Sequence, residues 1–298
     1  MSIGIPDVRI GHWSDPIGQT GCTVITFPEG TTASCEVRGG APASRELDAL
    51  APDKTVTVVD AVVLTGGSAF GLAAADGVMR YLEAAGRGVP TPGGRVPIVP
   101  ALGLFDLAVG DPAARPTADN GYAAAAATSG EQVWTGRVGA GAGAYTSHWR
   151  GPGGREPGGI AYAERQLAGL VVGALCVVNA FGDIDHGAGD TSLDAVAVLG
   201  DLRLAASRTN TTIGVVLTNA RLDKVGCRIV AEGAHDGLAR ALTPPHTRFD
   251  GDAFIAAATG RVEAAVDAVR LMALAAVVEA IRSVGANRPP AQPSSRSG

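Results

Sequence analysis

The run Thr209-Asn210-Thr211-Thr212-Ile213-Gly214-Val215-Val216-Leu217-Thr218-Asn219 passes from hydroxyl-rich to β-branched within a few residues. β-Branched side chains favour extended backbone, so Thr211 falls among the first residues of a strand, where a backbone bend and an exposed hydroxyl can coexist. A threonine there has a chemistry of its own. If its hydroxyl attacks the carbonyl just before it, the peptide bond becomes an ester, and hydrolysis leaves a new chain end carrying hydroxyl and α-amine on one residue. That amine has a reference pKa of about 7.7–8.0, close enough to neutrality to serve as general base for its own hydroxyl, so no separate histidine is needed. A bare Asn-Thr-Thr more often does nothing but open a strand. Only its surroundings can give it this role.

Other residue types with chemical potential are scattered. Asn179 ends the apolar run Leu167 to Ala180, and an asparagine at the end of a buried strand can aim its amide N–H at a developing oxyanion, although such residues commonly just terminate the strand. Asp250 and Asp252, in Arg248-Phe249-Asp250-Gly251-Asp252, could orient an amine and a hydroxyl together, or could be a solvated turn. Asp183, Asp185, His186 and Asp190 match no zinc spacing and only half a calcium loop, so they read as a solvated loop and no metal is expected. Ser68 in Thr65-Gly66-Gly67-Ser68 sits between a strand and a helix, but the residue two places on is Phe70 and Gly71 comes one place late for G-x-S-x-G. It is expected to cap the helix rather than act as nucleophile. The glycine-rich Val138 to Ala144 is followed by a turn-rich segment rather than the helix a dinucleotide loop requires, so it reads as backbone in close approach and no cofactor is expected.

The elements that must position these groups follow in chain order. Residues 4–40 alternate strand-like runs with turns and read as an antiparallel, hairpin-rich opening. A buried strand over Val56 to Leu64 precedes a helix from about Ala69 to Ala85 that stops at Gly86. The proline-interrupted Val96 to Leu107 reads as an edge or pocket-lining segment, and Thr117 to Thr128 as an alanine-rich helix. A short helical stretch, Leu193 to Leu204, leads to the strand after Thr211. Helices over Cys227 to Leu242 and Val262 to Val284 follow, and Asn287 to Gly298 reads as a disordered tail.

Composition bounds the rest. At 298 residues, with 46% hydrophobic and 4% aromatic residues and 42 glycines, the chain fits one large α/β domain able to bury roughly three-quarters of its unfolded surface. A net charge of −5 without any Lys/Arg block lacks the footprint of a nucleic-acid binder. Cys22, Cys35, Cys176 and Cys227 are far apart without a C-x-x-C and read as small buried hydrophobes in a reducing compartment. No apolar stretch is long enough for a bilayer, and the start has no basic region followed by an apolar one, so the expectation is a cytoplasmic protein with no membrane partner.

Several segments together carry a resemblance. V-R-I-G-H-W, L-T-G-G-S-A-F-G-L, G-A-G-A-G-A, G-A-L-C-V-V-N-A-F-G-D, N-T-T-I-G-V-V-L-T-N-A, and A-H-D-G-L-A-R-A-L followed by F-D-G-D run in order across about residues 8–260. In these the chain resembles the autoprocessing hydrolases that include the L-aminopeptidase D-amidase/D-esterase, the β-peptidyl aminopeptidases and the nylon-oligomer hydrolases. The resemblance implies an αββα sandwich of the aminopeptidase/ornithine-acetyltransferase type, cleaved between Asn210 and Thr211 into residues 1–210 and 211–298. It implies Thr211 as nucleophile, Asn179 as oxyanion-hole residue, and Asp250 with Asp252 as the acidic pair holding the new amine. Relatives are usually homo-oligomers, here with a tetramer favoured, acting on a small peptide or amide. There are departures from the family pattern. His148 stands where many members carry an active-site lysine, so less positive charge and a pH-dependent activity are expected. Phe105 stands where some carry a tyrosine, removing a hydroxyl from the pocket. Both are candidate substrate-binding positions. The alternatives are an acyltransferase of the ornithine-acetyltransferase type, a non-processing binding protein on the same scaffold, and, more distantly, a serine hydrolase on Ser68.

Overall fold

The computed structural model describes residues 2–186 and 210–284. The helical stretch expected over Leu193 to Leu204, the acidic Asp190 and the tail from Asn287 lie outside the described residues.

The chain begins with an antiparallel hairpin, β1 (Arg9–Asp15) and β2 (Thr20–Thr26). Its turn is held by Asp15, whose Oδ1 accepts the backbone N–H groups of Ile17 and Gly18 at 3.0 and 2.8 Å, a local side-chain bond that stabilises turns. β3 (Thr32–Val37) leaves for a second sheet, while β4 (Ala43–Arg45), β5 (Ala61–Thr65) and β6 (Ala101–Gly103) join the first, in the order β1-β2-β5-β6-β4. The antiparallel opening expected from sequence is present, but the buried strand is shorter than Val56 to Leu64. Asp60, just before it, accepts the Ile98 N–H at 3.0 Å and fixes where the extended segment enters the sheet. The proline-rich stretch is a correction: Ala101–Gly103 pairs with β5 on one side and β4 on the other and lies inside the sheet, because the prolines precede the paired residues.

After β5 comes one helical turn, Ser68–Gly71, and then α1 (Ala74–Ala84) in place of one continuous helix. Ser68 does not cap it. Gly67 is the cap residue, no side-chain cap bond forms, and Ser68 itself takes a left-handed φ of 54°. α2 (Ala118–Ala126) starts, as expected, at Thr117, which forms a reciprocal capping box with Asn120. α1 and α2 cross so closely that a Cβ on Gly77 would meet the Ala118 carbonyl and one on Gly121 that of Ala74. Only glycine fits at either place.

The second sheet runs β7 (Gly159–Leu167), β8 (Leu170–Asn179), β9 (Thr211–Ala220), β10 (Ala253–Val262) and β3, with β9 and β10 parallel and the other pairs antiparallel. All ten residues of β8 and all ten of β9 are buried, which explains runs that are apolar without alternation. α3 (Lys224–Ala241) and α4 (Val266–Ser283) pack on its outer face. α4 begins later than expected because Val262 still belongs to β10.

Three apolar clusters separate four layers. One lies between α1/α2 and the first sheet, through Val24, Val63, Ala74, Val78 and Ala124. A second fills the space between the sheets, through Ile25, Leu64, Leu102, Leu175, Ile213, Val215 and Ile255. The third joins the second sheet to α3/α4, through Val216, Phe254, Val230, Leu238, Ala273 and Val277. This is the αββα sandwich. The four cysteines are buried and free, and burial pushes the Cys22 and Cys227 thiols up to about 12, so they are inert apolar filler. Among the described residues no helix is long and apolar enough to cross a membrane.

Candidate functional site

Thr211 is the first residue of β9 and is 3% exposed. It faces Asn179, the last residue of β8, across the antiparallel ladder. Its hydroxyl donates to the carbonyl oxygen of Asn210, so hydroxyl and adjoining carbonyl are already in contact. That same oxygen accepts the Gly251 N–H at 3.1 Å, and Asn210 pairs with Asp250 as an isolated parallel bridge. Gly251 has a steric reason to be glycine: a Cβ there would stand 2.9 Å from Thr211 Oγ1 and 2.7 Å from the Ala41 carbonyl. Sequence alone does not single out Gly251; the resemblance to F-D-G-D merely contains it.

The segment carrying Asp250 and Asp252 is not a solvated turn. Both residues are 2% exposed and each oxygen is engaged. Asp250 Oδ1 accepts the Phe181 N–H at 3.1 Å, and its Oδ2 accepts the N–H of Thr247 at 3.1 Å together with the Thr247 hydroxyl. Asp252 Oδ1 accepts the Thr212 N–H at 2.7 Å; its Oδ2 accepts the backbone N–H of His246 at 3.1 Å and the Nδ1–H of its ring at 2.8 Å. Burial, and then the charge of Asp252 nearby, push the Asp250 carboxyl up to about 7, because two adjacent buried carboxylates cannot both ionise cheaply. The site therefore contains an acid that exchanges its proton near neutrality, a property suited to general acid–base chemistry.

Asn179 is held at both ends of its amide: Oδ1 accepts the Tyr145 N–H and Nδ2 donates to the Phe105 carbonyl, each at 3.0 Å. Phe105 thus meets the site through its backbone. The carbonyl of the preceding residue, Leu104, accepts the Ser68 N–H at 2.9 Å, and Asp106 accepts the Gly67 N–H and the Thr20 hydroxyl, both at 2.7 Å. Burial raises the pKa of Asp106. One loop therefore ties Asn179 to the turn after β5. His148 hydrogen-bonds with the Asn179 side chain and the Tyr145 backbone, and burial, with Arg155 adding to it, lowers its pKa to about 4. Its Nε2 is buried without a hydrogen-bond partner. So Thr211, Asn210, Asn179, Asp250, Asp252, His148 and Phe105 all converge, linked by the contacts above.

Sequence reading missed His246 and Thr247, which lock the acidic pair. A signal existed: Thr247 lies three residues before Asp250, the spacing of a local hydroxyl–carboxylate bond. Among Asp183, Asp185 and His186, Asp183 is bonded to Trp149 Nε1 at 2.9 Å and to Arg150 at 2.6 and 3.1 Å instead of standing in solvent. No cluster of three metal-ligating side chains occurs among the described residues.

Comparison with known proteins places these observations. The profile of Peptidase family S58 matches residues 3–286. A protein named as an uncharacterized aminopeptidase of Mycobacterium leprae (strain TN) is 43% identical, over 95% of this chain and 84% of that one. A 6-aminohexanoate-oligomer endohydrolase of Kocuria sp. (strain KY2) is 28% identical, over 88% and 76%. Among solved structures, an L-aminopeptidase D-Ala-esterase/amidase from Ochrobactrum anthropi, described as a variant of the Ntn hydrolase fold, superposes with a TM-score of 0.73 at 19% identity, covering 93% of this chain and 83% of that one. A Burkholderia sp. β-aminopeptidase gives 0.70 at 24%, covering 93% and 84%; both likenesses concern the fold. With its profile match running from one end of the sandwich to the other, the chain belongs to Peptidase family S58.

Proposed function

We propose that this peptidase-family chain is an N-terminal-threonine amide hydrolase that matures by cutting itself between Asn210 and Thr211. The observation that carries the reading is the contact of the Thr211 hydroxyl with the Asn210 carbonyl oxygen while the Gly251 N–H holds that oxygen at 3.1 Å. In the maturation step Oγ1 bonds to the Asn210 carbonyl carbon, and the charge that develops on its oxygen meets the Gly251 N–H. The C–N bond then breaks. The hydroxyl proton ends on the departing nitrogen, which becomes the Thr211 α-amine, and the Asn210 ester is hydrolysed by water. In turnover the same hydroxyl attacks a substrate amide, its own amine taking and returning the proton. Asp250 and Asp252 hold that amine, Asn179 the region of the oxyanion, and the unpartnered Nε2 of His148 is a polar group available to meet a small peptide or amide.

The test is the denatured intact mass of the purified protein beside Thr211→Ala. The expected result is fragments 1–210 and 211–298 in the parent and one uncut chain in the variant. A single full-length chain in both, after long incubation, would overturn the reading.

A further inference from the structure

We propose that His246 is a positioning residue that fixes the negative charge of the acidic pair on Asp252 and so leaves the pair's proton on Asp250. The inference deepens the reading above and rests on it for the use the site makes of that proton.

The two carboxyls are nearly equal in burial and in number of donors, so what distinguishes them is the kind of donor. Asp250 is met by backbone N–H groups and a hydroxyl, which can reverse its bond and accept from a protonated acid. Asp252 is met by N–H groups alone: those of Thr212 and His246, and the His246 ring. Ring Nδ1–H and backbone N–H converge on one oxygen because His246 takes a left-handed φ of 51°, a conformation uncommon outside glycine and asparagine. The Asp252 carbonyl is also fixed, by the Arg38 and Gly39 N–H groups at 3.0 and 3.1 Å.

Behind His246 stands His235 of α3, edge-on with ring centroids 4.8 Å apart. His235 is fully buried, its Nε2–H donates to the Glu36 carbonyl at 3.0 Å, and burial lowers its pKa to about 4. It therefore backs His246 with a neutral ring. The other charged groups near this pair are Glu36 from β3, Arg38 just after that strand and Asp236 from α3; Arg38 bridges the two acids, 3.5 Å from each, while Arg228 of α3 pairs with Glu36 and Arg270 of α4 with Asp236 at 2.9 Å. Each of these acids thus has a guanidinium of its own beside it, which leaves the carboxyls of Asp250 and Asp252, on the same segment, as the charged groups that matter here.

The experiment is a 13C-carboxyl NMR titration in Thr211→Ala protein, with Asp250→Asn identifying the signal. His246→Gly removes the ring without penalising the left-handed backbone; His246→Asn keeps a side-chain N–H at the same reach. Asp250, near 7 in the parent, is expected to fall by at least about one pH unit in His246→Gly and to return in His246→Asn. An unmoved midpoint in folded His246→Gly overturns the proposal, as does failure of His246→Asn to restore it. Should His246→Gly not fold, 15N-histidine spectra of the parent decide. A His246 Nδ1 that stays protonated from pH 5 to 8, with a shift that follows Asp250, supports the proposal, and one lacking the proton overturns it. Uncut parent protein together with the expected shift would sink the Thr211 reading while upholding this one.

Discussion

Burial decides what His148 can contribute. A histidine in place of a lysine suggests a charge that varies near neutral pH, yet burial, reinforced by Arg155, takes its pKa down to about 4. The imidazole is then neutral through the range in which Asp250, at about 7, exchanges its proton. The pH–rate profile of the proposed self-cleavage should accordingly have its limb near 7 and none from His148. His148→Gln is expected to change the rate while leaving that midpoint in place, and a midpoint displaced in this variant would return the titration to His148. At this scale residue type alone left Thr211, Asn179, Asp250 and Asp252 open between a site and an ordinary strand end or turn; the resemblance singled them out, and all four lie in the contacts described above. The sequence was opaque where the role depends on a neighbour in space. His246 sits in Pro244-Pro245-His246-Thr247, and nothing in that string reveals that its ring donates to Asp252.

Elements deliver these residues to one place by register. Asn179 opposes Thr211, and Ile213 pairs with Ala253 just beyond Asp252, so a slip of one residue in β9 would turn the Thr211 hydroxyl to the other face. The approach of residues 250–252 to the segment after β3 is equally tight. A Cβ on Gly39 would lie 2.1 Å from the Asp252 nitrogen and 2.5 Å from the Asp250 carbonyl oxygen, and backbone on both sides cannot yield cheaply. Gly39→Ala is therefore expected to slow the proposed self-cleavage at least tenfold while the protein stays folded by circular dichroism; cleavage at the parent's rate in this variant would show that the segment tolerates displacement. Apolar runs and glycines foretold most helices and strands. What they could not tell was sheet membership: β3 follows β2 in the chain yet joins the other sheet, and Ala101–Gly103 is interior despite its prolines, because long-range pairing overrides local composition.

For the whole molecule, buried titratable groups set opposing pH dependences. His12, His148 and His235 are each lowered to about 4, so between about pH 4 and 6.5 the unfolded chain binds more protons at these sites and stability falls as the solution is acidified. Asp250, raised to about 7, acts the other way: its contribution is fully present below the unfolded value and is lost as pH rises through 7. Asp106, also raised, has the same sign. Asp250→Asn should steepen the acid dependence by up to about 1.4 kcal/mol per pH unit between pH 4 and 6.5, which urea unfolding across that range would measure. An unchanged slope would mean that Asp250 titrates alike in both states.

The placement of β9 and β10 has one more consequence. Both come from the portion after Thr211, yet in the sheet they are flanked by β8 on one side and β3 on the other, strands from the portion before it. A chain opened at Asn210–Thr211 would be two polypeptides with one interleaved sheet, and dilution alone has no free edge from which to peel the shorter one away. Once denatured, however, the pieces must find each other in solution. Maturation would thus convert a unimolecular folding problem into a second-order one, and a molecule that assembled itself unaided as a single chain would recover, after cleavage, at a rate set by its own concentration.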